Sequence, residues 1–210
     1  MADVAVVDYG MGNLRSVEQA LRQVAPAAEI VITDDADTVA NAKRVVFPGQ
    51  GAMPDCMREM DARGLRDAVL MAACSRPFLG ICIGLQMMFE HSAEGDVSGL
   101  GILHGNVVRF ANNMQDTQGN KLKVPHMGWN QVHHGQHPMW DDIAQDARFY
   151  FVHSYYVQPQ DASLVQATSQ YPRSFVCAVA KDNLFAVQFH PEKSQAAGLK
   201  LLQNFMQWNP

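Results

Sequence analysis

A chain of 210 residues, 48% of them hydrophobic, can bury a sizeable core but is short for two comfortable domains, so a single domain over residues 1–210 is expected. A formal net charge of −5 without a lysine–arginine cluster argues against a nucleic-acid footprint. The four cysteines, at positions 56, 74, 82 and 177, have neither paired C-x-x-C spacing nor the density of a secreted disulfide scaffold. Cys56, Cys74 and Cys177 read as structural free thiols, and with no leader or membrane-length apolar run in view, a soluble cytoplasmic protein is expected.

In chain order, Val4-Ala5-Val6-Val7 is a short buried strand, after which Leu14, Val17, Leu21 and Val24 recur at helical spacing. Residues 30–32 and 45–47 read as further strands, and the second of these runs into Pro48-Gly49-Gln50-Gly51. Gly-x-Gly at a strand end lets bare backbone N–H groups approach a ligand closely, the arrangement an oxyanion hole needs. Taken alone the string is an ordinary turn. Helical stretches follow at about 53–61 and 64–74, with Met53, Met57 and Met60 spaced as core residues.

The apolar run Pro77-Phe78-Leu79 then enters Gly80-Ile81-Cys82-Ile83-Gly84. Flanking glycines permit a sharp, strained turn that lifts the central side chain above a sheet, the pattern of a nucleophile elbow. The segment Leu-Gln-Met-Met-Phe-Glu, residues 85–90, reads as a helix whose amino-terminal N–H groups face the sulfur and favour thiolate. Alternating strands and helices to this point imply a parallel sheet covered on both faces.

Beyond residue 100 the character changes. Segments 101–110, 124–133, 149–157 and 164–169 read as strands, and 174–180 with 184–189 as a hairpin around Lys181-Asp182-Asn183. A closing helix is expected at about 195–207, and the polar stretch 112–123 as a long exposed loop. The fold class is therefore α/β, a central mixed and mostly parallel sheet flanked by helices, with antiparallel strands added in the second half. His190-Pro191-Glu192 stands where the last strand stops, at the carboxyl edge where such folds place their chemistry. His190 can serve as proton shuttle to Cys82, with Glu192 holding its tautomer across a proline that fixes the intervening φ. His133, His134 and His137 near Asp141 and Asp142 could suggest a metal site, but the group is interrupted by Gly135 and Pro138 and reads better as a solvated loop. His91 and His104 read as surface or turn residues.

The elbow, the His-Pro-Glu turn and the Gly49–Gly51 turn together resemble the class I, triad-type glutamine amidotransferases over nearly the whole chain. Within them the chain is most similar to the glutaminase subunits of imidazole glycerol phosphate synthases, of histidine biosynthesis. The discriminating strings are Asp8-Tyr9-Gly10-Met11-Gly12-Asn13-Leu14-Arg15-Ser16, Pro125-His126-Met127-Gly128-Trp129-Asn130 and His190-Pro191-Glu192-Lys193-Ser194. The resemblance implies a Cys82–His190–Glu192 triad, an oxyanion hole from Ile83 and the Gly49–Gln50 backbone, and L-glutamine bound by Gln86, Glu94, Ser154 and Tyr155. It implies no cofactor and no metal. It also implies a heterodimer with a (β/α)8-barrel cyclase that receives ammonia through a channel, with Asn13, Trp129, Tyr150 and Lys193 near that interface and His126 helping to shape it. Many relatives carry valine where this chain has Gln50, but the hole uses backbone, so the chemistry is expected to survive. Three other readings remain open from the sequence. Another amidotransferase would share the triad but need a different partner; a self-sufficient cysteine hydrolase would be fully active alone; a silent binding module would lack a triad member.

Overall fold

The computed structural model describes residues 1–116 and 118–210. The first half runs β1 (Val4–Val7), α1 (Leu14–Val24), β2 (Ile30–Thr33), α2 (Ala36–Asn41), β3 (Arg44–Gly49), α3 (Met53–Ala62), α4 (Arg66–Ser75), β4 (Phe78–Cys82) and α5 (Ile83–Gln86). The second half adds β5 (Phe89–Ser92), β6 (Val97–Ser98), β7 (Leu103–Arg109), β8 (His126–Gln131), β9 (His133–His134) and β10 (Arg148–His153). It closes with β11 (Tyr155–Pro159), β12 (Val165–Gln170), β13 (Ser174–Lys181), β14 (Leu184–Val187) and α6 (Gln195–Gln207).

One large sheet has the strand order β2-β1-β3-β4-β14-β13-β11-β7-β5-β6, with β12 pairing β13 and β9 off that path. From β2 to β14 neighbouring strands are parallel, and β13, β11 and β7 continue antiparallel. Both faces of the parallel part are buried. Val4 and Val6 face a layer with Leu21 of α1 and Leu202 of α6, while Ala5 and Val7 face a layer with Met53, Met60 and Val69 of α3 and α4. This alternation is the two-residue period of a strand, and it explains why the sequence shows unbroken apolar runs there. The three spaced methionines of α3 are all in the core.

Three expected elements take a different form. The helix after the elbow lasts one turn, because the carbonyls of Met87, Met88, Phe89 and Glu90 accept N–H groups from Leu100, Leu103, Gly101 and Gly99. The chain at 99–103 thus takes the place of the next helical turn, and residues 89–92 become a strand. The stretch 149–157 is two strands in two sheets: β10 pairs with β8 in a separate ribbon, whereas β11 joins the large sheet. The break falls at Ser154, whose carbonyl accepts the Phe110 N–H. The expected strand at 124–133 likewise divides into β8 and β9. Helix α2 was hidden by its length, since only Val39 is buried and the Asp35 carboxylate caps Thr38 N–H at 2.6 Å. The described residues of the 112–123 segment are mostly exposed, with an isolated bridge between Gln115 and Lys121; Thr117 lies outside the described residues.

Candidate active site

The site is built at the carboxyl ends of β3, β4 and β14. Cys82 ends β4 with φ 56° and ψ −109°, a conformation that costs an L residue roughly 1–3 kcal/mol and is kept where surrounding structure forces it. What forces it is close packing on both sides. A side chain at Gly84 would collide with the Phe47 carbonyl of β3, and one at Gly80 would crowd Met88 and Ala186. The strained turn aims the sulfur into a cleft of about 440 Å³ whose lining includes Gln50, Ile83, Gln86 and His190.

His190 lies three residues past the end of β14 and is anchored from β10. Its N–H donates to the Tyr150 carbonyl at 2.9 Å, and Ser194 Oγ donates to the His190 carbonyl at 2.6 Å while accepting the Tyr150 N–H at 2.9 Å. The imidazole Nδ1 and Glu192 Oε1 are 2.8 Å apart, and both side chains are almost fully buried. Burial pushes the His190 pKa down, but the adjacent Cys82 sulfur and the Glu192 carboxylate more than offset it, so the imidazolium is favoured. With Nδ1 donating to Glu192, the other ring nitrogen is left for the sulfur and the leaving group. Because α5 is a single turn, the sulfur faces the imidazolium and the Gln188 amide without the dipole of a long helix behind it.

Gly49 ends β3 directly opposite Cys82 in the parallel register. It is buried beneath the cleft, whereas Gln50 and Ile83 line it. A side chain at Gly49 would strike the Tyr9 hydroxyl, and Gln50 C=O accepts the Cys56 thiol at 3.6 Å. Burial raises the Cys56 thiol to about 11, which suits a packing residue. Tyr9 and Cys56 therefore back the end of β3 at Gly49–Gln50.

All four expected glutamine contacts line the cleft. The Gln86 amide is buried, its Nε2 donating to Tyr155 C=O at 3.2 Å and Gln188 Oε1 at 3.0 Å, while its Oε1 has no hydrogen-bond partner among the described residues. Glu94 Oε2 accepts the Met53 N–H at the start of α3, at 2.9 Å. Ser154 and Tyr155 lie at the break between β10 and β11. Gln188, not among the residues expected from sequence, donates to Cys82 Sγ at 3.7 Å; a lone amide inside the apolar run 184–189 was the signal for it.

The expected interface residues divide. Trp129 and Tyr150 face each other across the β8–β10 ribbon with ring centroids 6.2 Å apart, and Tyr150 and Lys193 also line the cleft. Asn13 caps a separate hollow with Asp8, Gly12 and Arg15. The histidines at 133–137 have separate structural tasks: His133 lies 3.3 Å from Asp146, His134 stacks on Trp140, and His137 accepts the Met139 N–H. His91 and His104 are surface partners of Asp96 and Glu90.

A family model described as Glutamine amidotransferase class-I matches residues 5–208. The chain belongs to the class I glutamine amidotransferases. Two relatives within this amidotransferase family carry the name imidazole glycerol phosphate synthase subunit HisH. The one from Nitrosospira multiformis is 65% identical over 100% of both chains, and the one from Thiobacillus denitrificans is 64% identical over 99% of this chain and 92% of its own. Among solved structures, one titled glutamine amidotransferase aligns with TM-score 0.72 at 17% identity, covering 98% of this chain and 97% of that one. A putative GMP synthase protein from Thermoplasma acidophilum aligns with TM-score 0.71 at 19% identity, covering 99% of this chain and 93% of that one. At such identities these two structures speak for the amidotransferase fold alone. No helix among the described residues is long and apolar enough to cross a membrane.

Proposed function

We propose that this chain is the glutaminase subunit of an imidazole glycerol phosphate synthase, one domain over residues 1–210, working in the cytoplasm. The observation that carries the chemistry is the strained Cys82 turn, in register with Gly49 and beside the 2.8 Å His190–Glu192 pair. The full-length identity to HisH subunits carries the choice of pathway.

In this mechanism the Cys82 thiolate attacks the side-chain carbonyl carbon of L-glutamine. The resulting oxyanion is met by the N–H of Ile83 and the Gly49–Gln50 backbone. The His190 imidazolium gives its proton to the departing nitrogen, the C–N bond breaks, and ammonia leaves a γ-glutamyl thioester. Neutral His190 then takes a proton from water, whose oxygen attacks the thioester carbonyl, and glutamate is released as the thiolate re-forms. Glu192 holds the imidazole in the required tautomer throughout. Gln86 Oε1 offers an acceptor to the amino-acid end of the substrate, with Glu94, Ser154 and Tyr155 completing that seat. The ammonia passes to a barrel-shaped cyclase subunit, in a heterodimer whose contact surface includes Trp129, Tyr150 and Lys193, with Asn13 nearby.

The test is glutamate release from glutamine, measured for the purified chain alone and then with the cyclase and its nucleotide substrate. Low turnover alone, a large rise in the full mixture, and loss of both in Cys82→Ala are expected. Strong turnover alone that the cyclase leaves unchanged would instead mark an independent hydrolase.

A further inference from the structure

A second line of polar groups runs under the substrate seat and has no part in the triad. His153 Nδ1 lies 2.7 Å from Tyr155 C=O, and because a carbonyl can only accept, that nitrogen carries the proton. The Nε2 of neutral His153 is then an acceptor, so His126 Nδ1, 2.9 Å away, must donate to it. His126 Nε2 is in turn an acceptor for Asn130 Nδ2 at 3.2 Å. The Asn130 amide orientation is set independently, since its Nδ2 also donates to Gln170 C=O at 2.8 Å and its Oδ1 accepts the Gln131 N–H at 2.9 Å. Gly128 stands between Asn130 and His126 on this face of β8, leaving no side chain in the way. Every hydrogen in the line therefore points one way, from Asn130 to the Tyr155 carbonyl.

Both imidazoles are nearly fully buried and boxed by aromatic rings: His126 stacks on Phe151 and Tyr171, and His153 meets Phe110 and Phe175. Burial pushes both well below the ordinary histidine range, which keeps them neutral and the direction fixed. The same Tyr155 carbonyl receives Gln86 Nε2, whose other hydrogen goes to Gln188 Oε1. With both hydrogens engaged, the Gln86 amide cannot flip, and its Oε1 is the atom left to meet a ligand.

We propose that Asn130, His126 and His153 form a positioning relay that fixes the Tyr155 carbonyl and, through it, the orientation of the Gln86 amide that seats glutamine. This rests on the glutaminase reading above and adds three positioning residues to it, two of them on the same strand as Trp129. A misplaced seat should weaken glutamine capture without dulling the thiolate.

The experiment uses the full chain with its cyclase partner for steady-state kinetics, and two reagents that alkylate Cys82: a diazoketone analogue of glutamine, which needs the seat, and iodoacetamide, which does not. His126→Phe keeps an aromatic ring and removes both hydrogen bonds. Its KM for glutamine should rise about tenfold, the factor carried by roughly one hydrogen bond, with kcat changed less than about threefold. Inactivation by the diazoketone should slow about tenfold, while iodoacetamide labelling of Cys82, read by peptide mass, stays within about twofold. His126→Asn places an N–H near the position of Nδ1 and should recover most of the loss. Should His126→Phe fail to fold, Asn130→Asp at a half-buried position keeps the shape but sets an acceptor against His126 Nε2, and the same KM rise is expected. Unchanged KM in the folded variants, or no recovery in His126→Asn, overturns the relay. Failure of iodoacetamide to label Cys82 in the unaltered chain would instead strike the nucleophile assignment on which it rests.

Discussion

At the scale of single residues the site depends on which proton sits where. Glu192 accepts from His190 Nδ1 at 2.8 Å, so Glu192→Gln offers an amide that can donate to that nitrogen instead, moving the imidazole proton to the side of the sulfur. A ring protonated there cannot accept a proton from water in deacylation. The expected result is a fall in kcat of roughly 10²–10⁴-fold with a small change in KM, checked by steady-state glutamate release. The buried relay histidines make a separate prediction about stability. Burial holds His126 at about 4 and His153 at about 3, whereas an unfolded histidine titrates near 6.5. Between those limits the unfolded chain binds protons that the folded chain refuses, so the stability these residues permit is complete above about pH 6.5 and lost as pH falls toward 4. His190 has the opposite sign: its pKa is raised, so its contribution is present below about 6.5 and lost only as pH climbs through the raised value. The unfolding free energy read from urea titrations should thus fall between about pH 6.5 and pH 5, by about 1.4 kcal/mol per pH unit for each histidine at most, and His126→Phe should flatten the slope.

At the scale of elements, the proposed catalysis depends on two parallel strands ending at the same level, β3 at Gly49 and β4 at Cys82. Gly49 needs no unusual φ; it needs the space that the Tyr9 hydroxyl would otherwise contest with a Cβ. Gly49→Ala should therefore displace the end of β3 that the mechanism proposes as part of the oxyanion hole, and cost up to about 3 kcal/mol of transition-state stabilisation, the amount one oxyanion donor typically carries. Tyr9→Phe removes the offending oxygen, so the double variant should regain part of the lost kcat/KM, a coupling that a double-mutant cycle reads directly. The same strands show what a sequence can and cannot disclose. β1, β3, β4 and β14 were legible because burial on both faces leaves apolar runs, and α1 and α3 because their apolar residues recur at helical spacing. The elbow and His190–Glu192 were legible because their chemistry is local: glycines flank Cys82, and a proline separates base from orienter. What stayed hidden depends on distant backbone. The shortening of α5 is decided by carbonyls taken up at 99–103, and the division of 149–157 by the Phe110 N–H. Gln188, Tyr9 and Cys56 acquire their roles only when strands from three parts of the chain are brought side by side.

At the scale of the whole molecule, the cleft lies between the carboxyl edge of the large sheet and the β8–β10 ribbon, which supplies Tyr150, Val152 and His153 to its wall. One face of β8 carries His126, Gly128 and Asn130 inward, and the other turns Met127 and Trp129 outward, 63% and 43% exposed. Two large apolar side chains on one strand face, beside Tyr150 and the Lys193 rim, fit a docking surface for the proposed cyclase better than a solvated edge. An exposed tryptophan adds little to the fold but is often the residue on which an interface turns. Trp129→Ala should thus leave the thermal unfolding midpoint nearly unchanged, while the Kd for the cyclase rises roughly 10–30-fold, as for loss of a central anchor. Saturating cyclase gives the deciding comparison. If Trp129 only anchors the partner, excess cyclase restores full stimulated glutamate release to the variant. If stimulation stays low at saturation, the ring also transmits the partner's state across the ribbon to the cleft, for which its contact with Tyr150, whose carbonyl accepts the His190 N–H, supplies a path.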